Sequence, residues 1–267
     1  MSTRRRLDAE LVRRGLARSR EHAAELVGTG RVLVAGQAAG KTATQVGADE
    51  PIAVREDRAD PGYASRGGGK LAGALAAFPG LSVTGRRCLD AGASTGGFTD
   101  VLLRAGAASV VAVDVGYGQL AWALRSDERV TVLDRVNVRQ LRPEQVAPAP
   151  SLVTADLSFI SLRLVLPALA GCATPDADFL LLVKPQFEVG RGRVGAGGVV
   201  RDPALRSDAV SSVAAAAAAD SGLGVAGVTA SPLPGPAGNV EYFLWLRRGA
   251  PPLDTGRLSQ VIAEGPQ

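Results

Sequence analysis

Apolar residues near the N-terminus recur at the spacing of short helices and strands. A first short helix is predicted from the helical spacing of four residues, Leu7, Leu11, Val12 and Leu16, and Gly15 interrupts it. A second helix is predicted over residues 20–27, with Ser19 as its N-cap. Short strands are predicted at 32–35 and 52–54, with a turn at 36–37. These elements predict a compact α+β domain over residues 1–57.

From Lys70 onward, short apolar runs typical of strands alternate with helical segments. The runs cover residues 88–91, 110–113, 130–133, 152–155, 179–183 and 225–230. This alternation predicts an α/β domain with a mostly parallel, doubly wound, Rossmann-like sheet that helices cover on both faces. The run at 240–246 fits an antiparallel edge strand, and the alanine run at 214–219 predicts a helix.

The segment between the two regions has the composition of a linker. Residues 55–69 are charged at first and then contain proline and glycine, so we assign 58–69 as the interdomain linker. The larger domain then covers 70–249, and 250–267 form a C-terminal tail. Three glycines directly precede Lys70 and are consistent with a hinge or with a passive turn. Residues 190–198 are a second glycine-rich segment, either a loop that closes over substrate or an exposed connection.

Composition and charge narrow the class of protein. Hydrophobic residues make up 46% of the chain and charged residues 21%, which predicts a folded globular protein. The net charge is only +4, but eight arginines fall within the first 31 residues, a bias that indicates a polyanionic partner. Two cysteines and one histidine suit neither a disulfide framework nor a metal site, and no apolar stretch reaches the ~20 residues of a membrane span. We therefore expect a cytoplasmic protein without a bound metal.

A glycine-rich turn follows the first strand of the larger domain. It reads Asp-Ala-Gly-Ala-Ser-Thr-Gly-Gly-Phe-Thr over residues 90–99, and glycines at such a turn allow close approach of a ligand. Asp114 ends the second strand, where a carboxylate can accept hydrogen bonds from ribose hydroxyls. The alternatives are a plain tight connection and a simple turn aspartate. The turn has neither the GxGxxG spacing of dinucleotide sites nor a phosphate-binding loop, which favours methyl transfer.

This turn resembles the cofactor turn of the FtsJ-like RNA ribose methyltransferases, which bind S-adenosylmethionine. The resemblance implies S-adenosylmethionine as cofactor and a set of contacts around the turn and the following strand ends: Asp90, Gly92, Ser94, Thr95, Gly96, Gly97, Phe98, Asp114, Val115, Asn137 and Asp156.

Four polar residues stand where helices or apolar runs begin or end: Lys70, Asp156, Lys184 and Glu241. Taken singly, each is more often an ordinary ion-pairing residue. The sequences around them, Ser-Arg-Gly at 65–67, Ala-Asp-Leu-Ser-Phe-Ile-Ser at 155–161, Lys-Pro-Gln-Phe-Glu at 184–188 and Gly-Asn-Val-Glu at 238–241, resemble the TlyA family of ribosomal RNA 2′-O-methyltransferases. That resemblance runs through nearly the whole chain and implies that the four residues form a catalytic Lys-Asp-Lys-Glu tetrad.

The chemistry of ribose methylation makes such a tetrad intelligible. A ribose hydroxyl must lose its proton as it attacks, so we hypothesise that Lys184 is the base, that Lys70 stabilises charge on the oxygen, and that Asp156 and Glu241 orient the lysines. The segment 156–159 is also similar to the Asn/Asp-Pro-Pro-Tyr/Phe motif of methyltransferases that act on base amino groups. Its Pro-Pro element is absent here, so a ribose target ranks above a base target.

The N-terminal domain resembles the S4-like RNA-binding module of a small-subunit ribosomal protein and many pseudouridine synthases. The resemblance rests on Arg-Leu-Asp at 6–8, the basic segment 15–20, and Gly-Arg-Val-Leu-Val at 30–34 followed by Gly36 and Lys41. The alternative is a solvated basic face without a ligand. RNA contacts are predicted for six cationic residues: Arg4, Arg6, Arg18, Arg20, Lys41 and Arg66.

Together, these resemblances imply a ribosomal RNA (cytidine-2′-O)-methyltransferase that acts on 16S RNA, 23S RNA or both in ribosomal subunits, with no membrane association and no obligate protein partner. Loss of the modification would be expected to reduce sensitivity to cyclic-peptide antibiotics that bind the ribosome. Two other classes remain open at this stage. One is a non-catalytic ribosome assembly factor, and the other is a membrane-lytic haemolysin, although no segment has the length or amphipathic composition for insertion.

Overall fold

The computed structural model describes residues 4–17, 20–55, 61–235 and 237–266. The chain separates into two compact units, Met1–Arg66 and Gly67–Gln267.

The described residues of the first unit form two helices and five short strands: α1 (Leu7–Arg13), α2 (Arg20–Gly28), β1 (Arg5–Arg6), β2 (Val32–Val34), β3 (Gln37–Ala38), β4 (Gln45–Val46) and β5 (Ile52–Val54). Strand β2 pairs antiparallel with both β3 and β5, and β1 pairs with β4. This unit has a small hydrophobic core, in which four residues are fully or almost fully buried: Leu7, Leu11, Leu26 and Val32. Both predicted helices are present, whereas the predicted N-cap Ser19 lies outside the described residues.

The second unit is built on a seven-stranded sheet. Its strands are β6 (Arg87–Ala91), β7 (Ser109–Asp114), β8 (Val130–Asp134), β9 (Leu152–Ala155), β10 (Asp178–Val183), β11 (Leu223–Ala230) and β12 (Tyr242–Arg248). Their order across the sheet is β11-β12-β10-β9-β6-β7-β8. The five strands from β10 to β8 are parallel, as the alternating sequence pattern predicts.

The helices of the second unit are α3 (Gly67–Ala77), α4 (Gly97–Arg104), α5 (Trp122–Arg125), α6 (Pro143–Val146), α7 (Leu166–Cys172), α8 (Pro185–Glu188), α9 (Pro203–Ser221) and α10 (Thr255–Glu264). The alanine run at 214–219 lies within α9, which confirms the predicted helix. Asp202 caps this helix by accepting a hydrogen bond from the backbone amide of Ala204, and Gly222 ends it in the left-handed conformation.

The prediction that the last strand lies at the edge of the sheet is wrong. Strand β12 is antiparallel, as predicted, but it lies between β10 and β11, and β11 occupies the edge. The apolar segment 242–246 of β12 is almost entirely buried, whereas β11 contains Gly224 and Gly227 and is only partly buried. The more apolar strand therefore takes the interior position.

The glycines before Lys70 belong to a helix and not to a linker. Helix α3 begins at Gly67, so Lys70 is its fourth residue rather than its first. A Cβ atom on Gly69 would lie 2.9 Å from the Leu233 side chain, and one on Gly73 would lie 2.5 Å from Pro232. Small residues at these two positions let the segment before β12 pack closely against α3.

The segment assigned as a C-terminal tail contains an ordered helix. Helix α10 packs against α9 and β11. It buries Leu258, Val261 and Ile262 in the main core of the second unit. This part of the chain therefore completes the hydrophobic core of the sheet domain.

Candidate active site

Strand order and register bring the predicted tetrad to one end of the sheet. Asp156 directly follows β9, Lys184 directly follows β10, and these strands are parallel neighbours, so both side chains leave the sheet at its carboxyl edge. Val183 pairs with Tyr242 across the antiparallel strands, which places Glu241 at the same edge, immediately before β12. Lys70 reaches this edge from α3.

The four side chains form two ion pairs. The Lys70 Nζ atom lies 2.6 Å from Glu241 Oε2, and the Lys184 Nζ atom lies 2.5 Å from Asp156 Oδ1. Each lysine therefore has its own carboxylate partner, and each pair joins residues that are far apart in the sequence.

The two pairs differ in their access to solvent. The side chains of Lys70 and Glu241 are 5% and 0% exposed, whereas those of Lys184 and Asp156 are 9% and 20% exposed. An incoming hydroxyl can therefore approach the Lys184–Asp156 pair more readily. The Lys70–Glu241 pair is the more deeply buried of the two.

The loop after Asp156 supplies a further contact that the sequence analysis did not single out. Lys184 Nζ donates a hydrogen bond to Ser158 Oγ at 3.1 Å, so two groups of this loop hold the lysine. The one signal for Ser158 in the sequence is its place in the Ala-Asp-Leu-Ser-Phe-Ile-Ser motif at 155–161.

Glu188 fastens this loop to the segment that carries Lys184. It ends α8, is 5% exposed, and accepts hydrogen bonds from Ser161 Oγ at 2.5 Å and from the backbone amide of Leu162 at 2.7 Å. Arg163 neutralises the same carboxylate. The loop that carries Asp156 and Ser158 is thereby fixed relative to Lys184.

An exposed aromatic residue projects beside the tetrad. Phe159 is 92% exposed and has a positive φ of 64°, a backbone conformation that non-glycine residues rarely adopt. Its ring lies 5.3 Å from that of Phe187, which follows Lys184 by three residues. A solvent-facing aromatic surface therefore lies close to the segment that carries Lys184.

The glycine-rich turn has the backbone geometry of a ligand-binding loop. Gly92, Ser94 and Gly96 all have positive φ angles. A Cβ atom on Gly92 would lie 2.5 Å from the Asp156 carbonyl oxygen, so glycine is required for the turn to pack against the strand end that carries Asp156. Asp114 accepts hydrogen bonds from the backbone amides of Ser94 and Gly116. The second strand end is thereby tied to the turn.

Asp90 lies buried beneath this turn. Its Oδ2 atom accepts a hydrogen bond from Thr99 Oγ1 at 2.6 Å, while Oδ1 is buried with no hydrogen-bond partner among the described residues. Burial raises the pKa of Asp90 to about 7, and the nearby carboxylates of Asp156 and Asp114 add to this effect. The two other carboxylates near this turn, Asp156 and Asp114, suit a cationic ligand, and S-adenosylmethionine carries a sulfonium and an ammonium group.

The remaining predicted cofactor residues take different positions. Gly97 begins α4, and the carbonyl of Thr95 accepts a hydrogen bond from the amide of Ala121. Phe98 is buried and stacks on Phe243, so its side chain lies in the core rather than at the surface of the turn. Val115 is 73% exposed, and the side chain of Asn137 caps the turn at 138–140.

In the first unit, three of the six predicted RNA-binding residues, Arg6, Arg20 and Lys41, lie near the start of α1. Asp8 is 7% exposed and pairs with Arg6 at 2.9 Å, and Arg20 lies 3.8 Å from the same carboxylate. The amide of Asp8 bonds to the carbonyl of Thr42, which brings the exposed Lys41 close to this group. Arg4 is exposed and Arg66 is partly buried, whereas Arg18 lies outside the described residues.

Comparison with known proteins shows the family. The FtsJ-like methyltransferase profile matches residues 63–248. The 16S/23S rRNA (cytidine-2′-O)-methyltransferase TlyA of Mycobacterium tuberculosis is 62% identical over 247 residues, which are 92% of this chain and 91% of that protein. The chain is a TlyA-family member of the FtsJ-like methyltransferases. The predicted family, fold class and methyltransferase activity are thereby confirmed, and with them S-adenosylmethionine as methyl donor.

Further comparisons cover both parts of this TlyA-family methyltransferase. The S4 domain profile matches residues 5–52. A solved structure from Streptococcus thermophilus that carries a hemolysin name superimposes with a TM-score of 0.78 at 38% identity, covering 99% of this chain and 96% of that one. Hemolysin A of Brachyspira hyodysenteriae is 37% identical over 89% of this chain and 98% of that protein. Within the described residues, no helix is both long enough and apolar enough to cross a membrane.

Proposed function

We propose that this TlyA-family methyltransferase methylates the 2′-hydroxyl of a cytidine ribose in 16S or 23S ribosomal RNA, and that assembled ribosomal subunits in the cytoplasm are its substrates. The observation that carries the proposal is the paired tetrad, in which each lysine is held by its own carboxylate beside the glycine-rich turn. The activity named for the Mycobacterium tuberculosis relative supports the choice of cytidine and of ribosomal RNA.

The tetrad can perform the proton transfer that ribose methylation needs. As the 2′-oxygen attacks, its proton passes to Lys184, which must be in its neutral form at that moment. Asp156 and Ser158 orient the amine from the loop side. Lys70, held by Glu241, supplies positive charge that stabilises the developing negative charge on the oxygen.

The cofactor supplies an electrophilic methyl group on its sulfonium when it is bound. Residues of the turn would hold it: the backbone of Gly92 to Gly97 would approach the ligand closely, and Asp114 would face its ribose hydroxyls. None of these residues needs to transfer a proton.

Two features favour RNA as the methyl acceptor. Phe159 offers an exposed ring beside Lys184, and unstacked RNA bases are commonly recognised by stacking on aromatic side chains. The first unit places Arg6, Arg20 and Lys41 around one buried carboxylate, which suits the phosphate backbone. Both features suit an RNA whose target nucleotide is unstacked.

Methyl transfer to unmethylated ribosomal subunits tests this function. Purified small and large subunits from a strain that lacks the enzyme are incubated with radiolabelled S-adenosylmethionine, and 2′-O-methyl groups are mapped in the RNA. The wild-type protein is expected to label a cytidine ribose. Binding of subunits and cofactor without labelling would instead favour a non-catalytic assembly factor.

Two substitutions of Lys184 separate its possible roles. Lys184→Met removes both charge and base, whereas Lys184→Arg keeps a cation that cannot be deprotonated in a protein. Both variants are expected to lose single-turnover methylation while retaining cofactor binding. A fully active Lys184→Arg variant would show that the residue acts through its charge and is not the base.

The proposed modification also predicts a cellular effect. A deletion strain is expected to be less sensitive to cyclic-peptide antibiotics that bind the ribosome, and the wild-type gene should restore sensitivity. A gene that encodes the Lys184→Met variant should fail to restore it. Unchanged sensitivity in the deletion strain would remove this link.

A further inference from the structure

A polar groove lies after strand β8, at the carboxyl edge of the same sheet as the tetrad. Its volume is about 440 Å³, which falls in the range of sites that hold small organic ligands and exceeds the needs of a single ion. Its lining residues are Arg135, Val136, Asn137, Gln140, Arg142 and Gln145. No aspartate or glutamate is among these described lining residues.

The two arginines of this groove differ from three other arginines of the second unit, each of which is held in an ion pair. Arg104 pairs with Asp100, Arg129 pairs with Asp127, and Arg125 pairs with Asp134. In contrast, neither Arg135 nor Arg142 forms an ion pair with any carboxylate of the described residues. The positive charge of the groove is therefore not neutralised by an ion pair within the described part of the protein.

Arg135 stacks on an aromatic ring, and its guanidinium donates no hydrogen bond to any of the described residues. Its guanidinium lies over the ring of Tyr117, 4.3 Å from the ring centroid, and Tyr117 is itself 69% exposed. A cation stacked on an aromatic face keeps its N–H groups available at the edge of the plane. The backbone of Arg135 also has a positive φ of 59°, a conformation that is uncommon for a non-glycine residue.

The amide side chains of the groove also present donors. The Oδ1 atom of Asn137 accepts a hydrogen bond from the amide of Arg139 at 3.0 Å, and Oε1 of Gln145 accepts one from the amide of Arg142 at 3.0 Å. Because the oxygens are engaged by backbone, the NH₂ groups of both side chains remain for a ligand. Two guanidinium groups and two amide donors match a phosphodiester, whose oxygens only accept hydrogen bonds.

We propose that this groove binds the sugar-phosphate backbone of the substrate RNA, as a second RNA contact separate from the S4 domain. The inference rests on the proposed function, because it takes RNA as the methyl acceptor. Strand β8 lies four strand spacings from β10, which ends at Lys184, so groove and tetrad are roughly 19 Å apart at about 4.8 Å per spacing. The groove therefore binds RNA that flanks the target nucleotide.

The salt dependence of RNA binding tests this assignment. Arg135→Gln, Arg142→Gln and the double variant are compared with wild type for binding to unmethylated ribosomal subunits at 50 and 200 mM salt. Each lost phosphate contact is expected to reduce the ratio of the two Kd values roughly threefold, since the logarithm of the affinity changes by about 0.7–0.9 per contact for each tenfold change in salt. The Kd for S-adenosylmethionine alone, from calorimetry, should stay unchanged.

Arg104→Gln and Arg129→Gln are matched controls, because each removes the same charge from an exposed but ion-paired position of the same unit. Both should leave the salt dependence as in wild type. Controls that weaken RNA binding as much as the groove variants would overturn the proposal, and so would groove variants that bind RNA like wild type. Weaker binding of S-adenosylmethionine would assign the groove to the cofactor instead. Failure of the wild-type enzyme to bind or methylate subunits would refute the proposed function itself.

Discussion

The two lysines of the tetrad are expected to fail in different ways when they are replaced. Lys70→Met leaves the fully buried Glu241 carboxylate without its partner, and breaking a buried ion pair in this way typically costs about 3–5 kcal/mol. For a domain of this size, about 1 kcal/mol shifts Tm by about 2–4 °C, so Tm should fall by roughly 6–20 °C. Lys184→Met breaks a pair that is partly open to water, and its Tm should fall much less.

Thermal unfolding followed by circular dichroism, together with single-turnover methylation, separates these effects. Both variants should lose activity, but only Lys70→Met should lose much stability. The double variant Lys70→Met/Glu241→Met replaces the buried pair with apolar side chains and should recover most of the lost Tm while remaining inactive. A Tm of Lys70→Met within about 2 °C of the wild-type value would show that the buried Lys70–Glu241 ion pair does not stabilise the fold as its burial predicts.

Three further predictions follow from individual side chains. Because burial raises the pKa of Asp90 from its usual 3.8 to about 7, the folded protein keeps this proton to higher pH than the unfolded chain. The free energy of unfolding should therefore fall as pH rises from about 4 to 7. Tm measured without cofactor should fall less over this pH range in Asp90→Asn than in wild type, and an equal fall in both proteins would contradict the prediction. Asp8→Asn should weaken RNA binding although it removes a negative charge, because Asp8 holds Arg6 and Arg20 in place. The control Asp49→Asn removes a negative charge at an exposed position and should tighten RNA binding. Tighter binding by Asp8→Asn as well would refute this role of Asp8. Phe159→Ala should lower kcat/KM for ribosomal subunits roughly tenfold, because stacking of one base on an aromatic ring contributes about 1–3 kcal/mol. The affinity for S-adenosylmethionine should stay unchanged. An unchanged kcat/KM would exclude stacking of a base on Phe159.

Much of the fold could be predicted from local sequence pattern. The apolar runs at 152–155 and 179–183 are strands because alternating strand and helix segments leave few other ways to bury them. The glycine-rich turn could also be located, since Gly92 and Gly96 adopt positive φ angles that other residues avoid. Helix α10 was not predicted, because its short apolar stripe gains stability only by packing on α9 and β11.

The predicted site residues could be named from the sequence, but their pairing could not. Nothing in the local pattern says that Lys70 meets Glu241 or that Lys184 meets Asp156, because these contacts depend on which strands are neighbours and in which register. The interior position of β12 decides where Glu241 lies, and that position follows from burial across the whole sheet.

The sequence by itself determined the alternation of elements, the glycine-rich turn and the polar residues at the ends of strands, Asp156, Lys184 and Glu241, because these depend on neighbours within a few positions. Only the tertiary structure decided which charges are paired. It buried the Lys70–Glu241 pair, left the Asp156 side of the Lys184–Asp156 pair partly exposed, and gave Arg135 and Arg142 no carboxylate partner among the described residues. The physical reason is that burial and charge pairing are set by distances between segments that are remote in the chain.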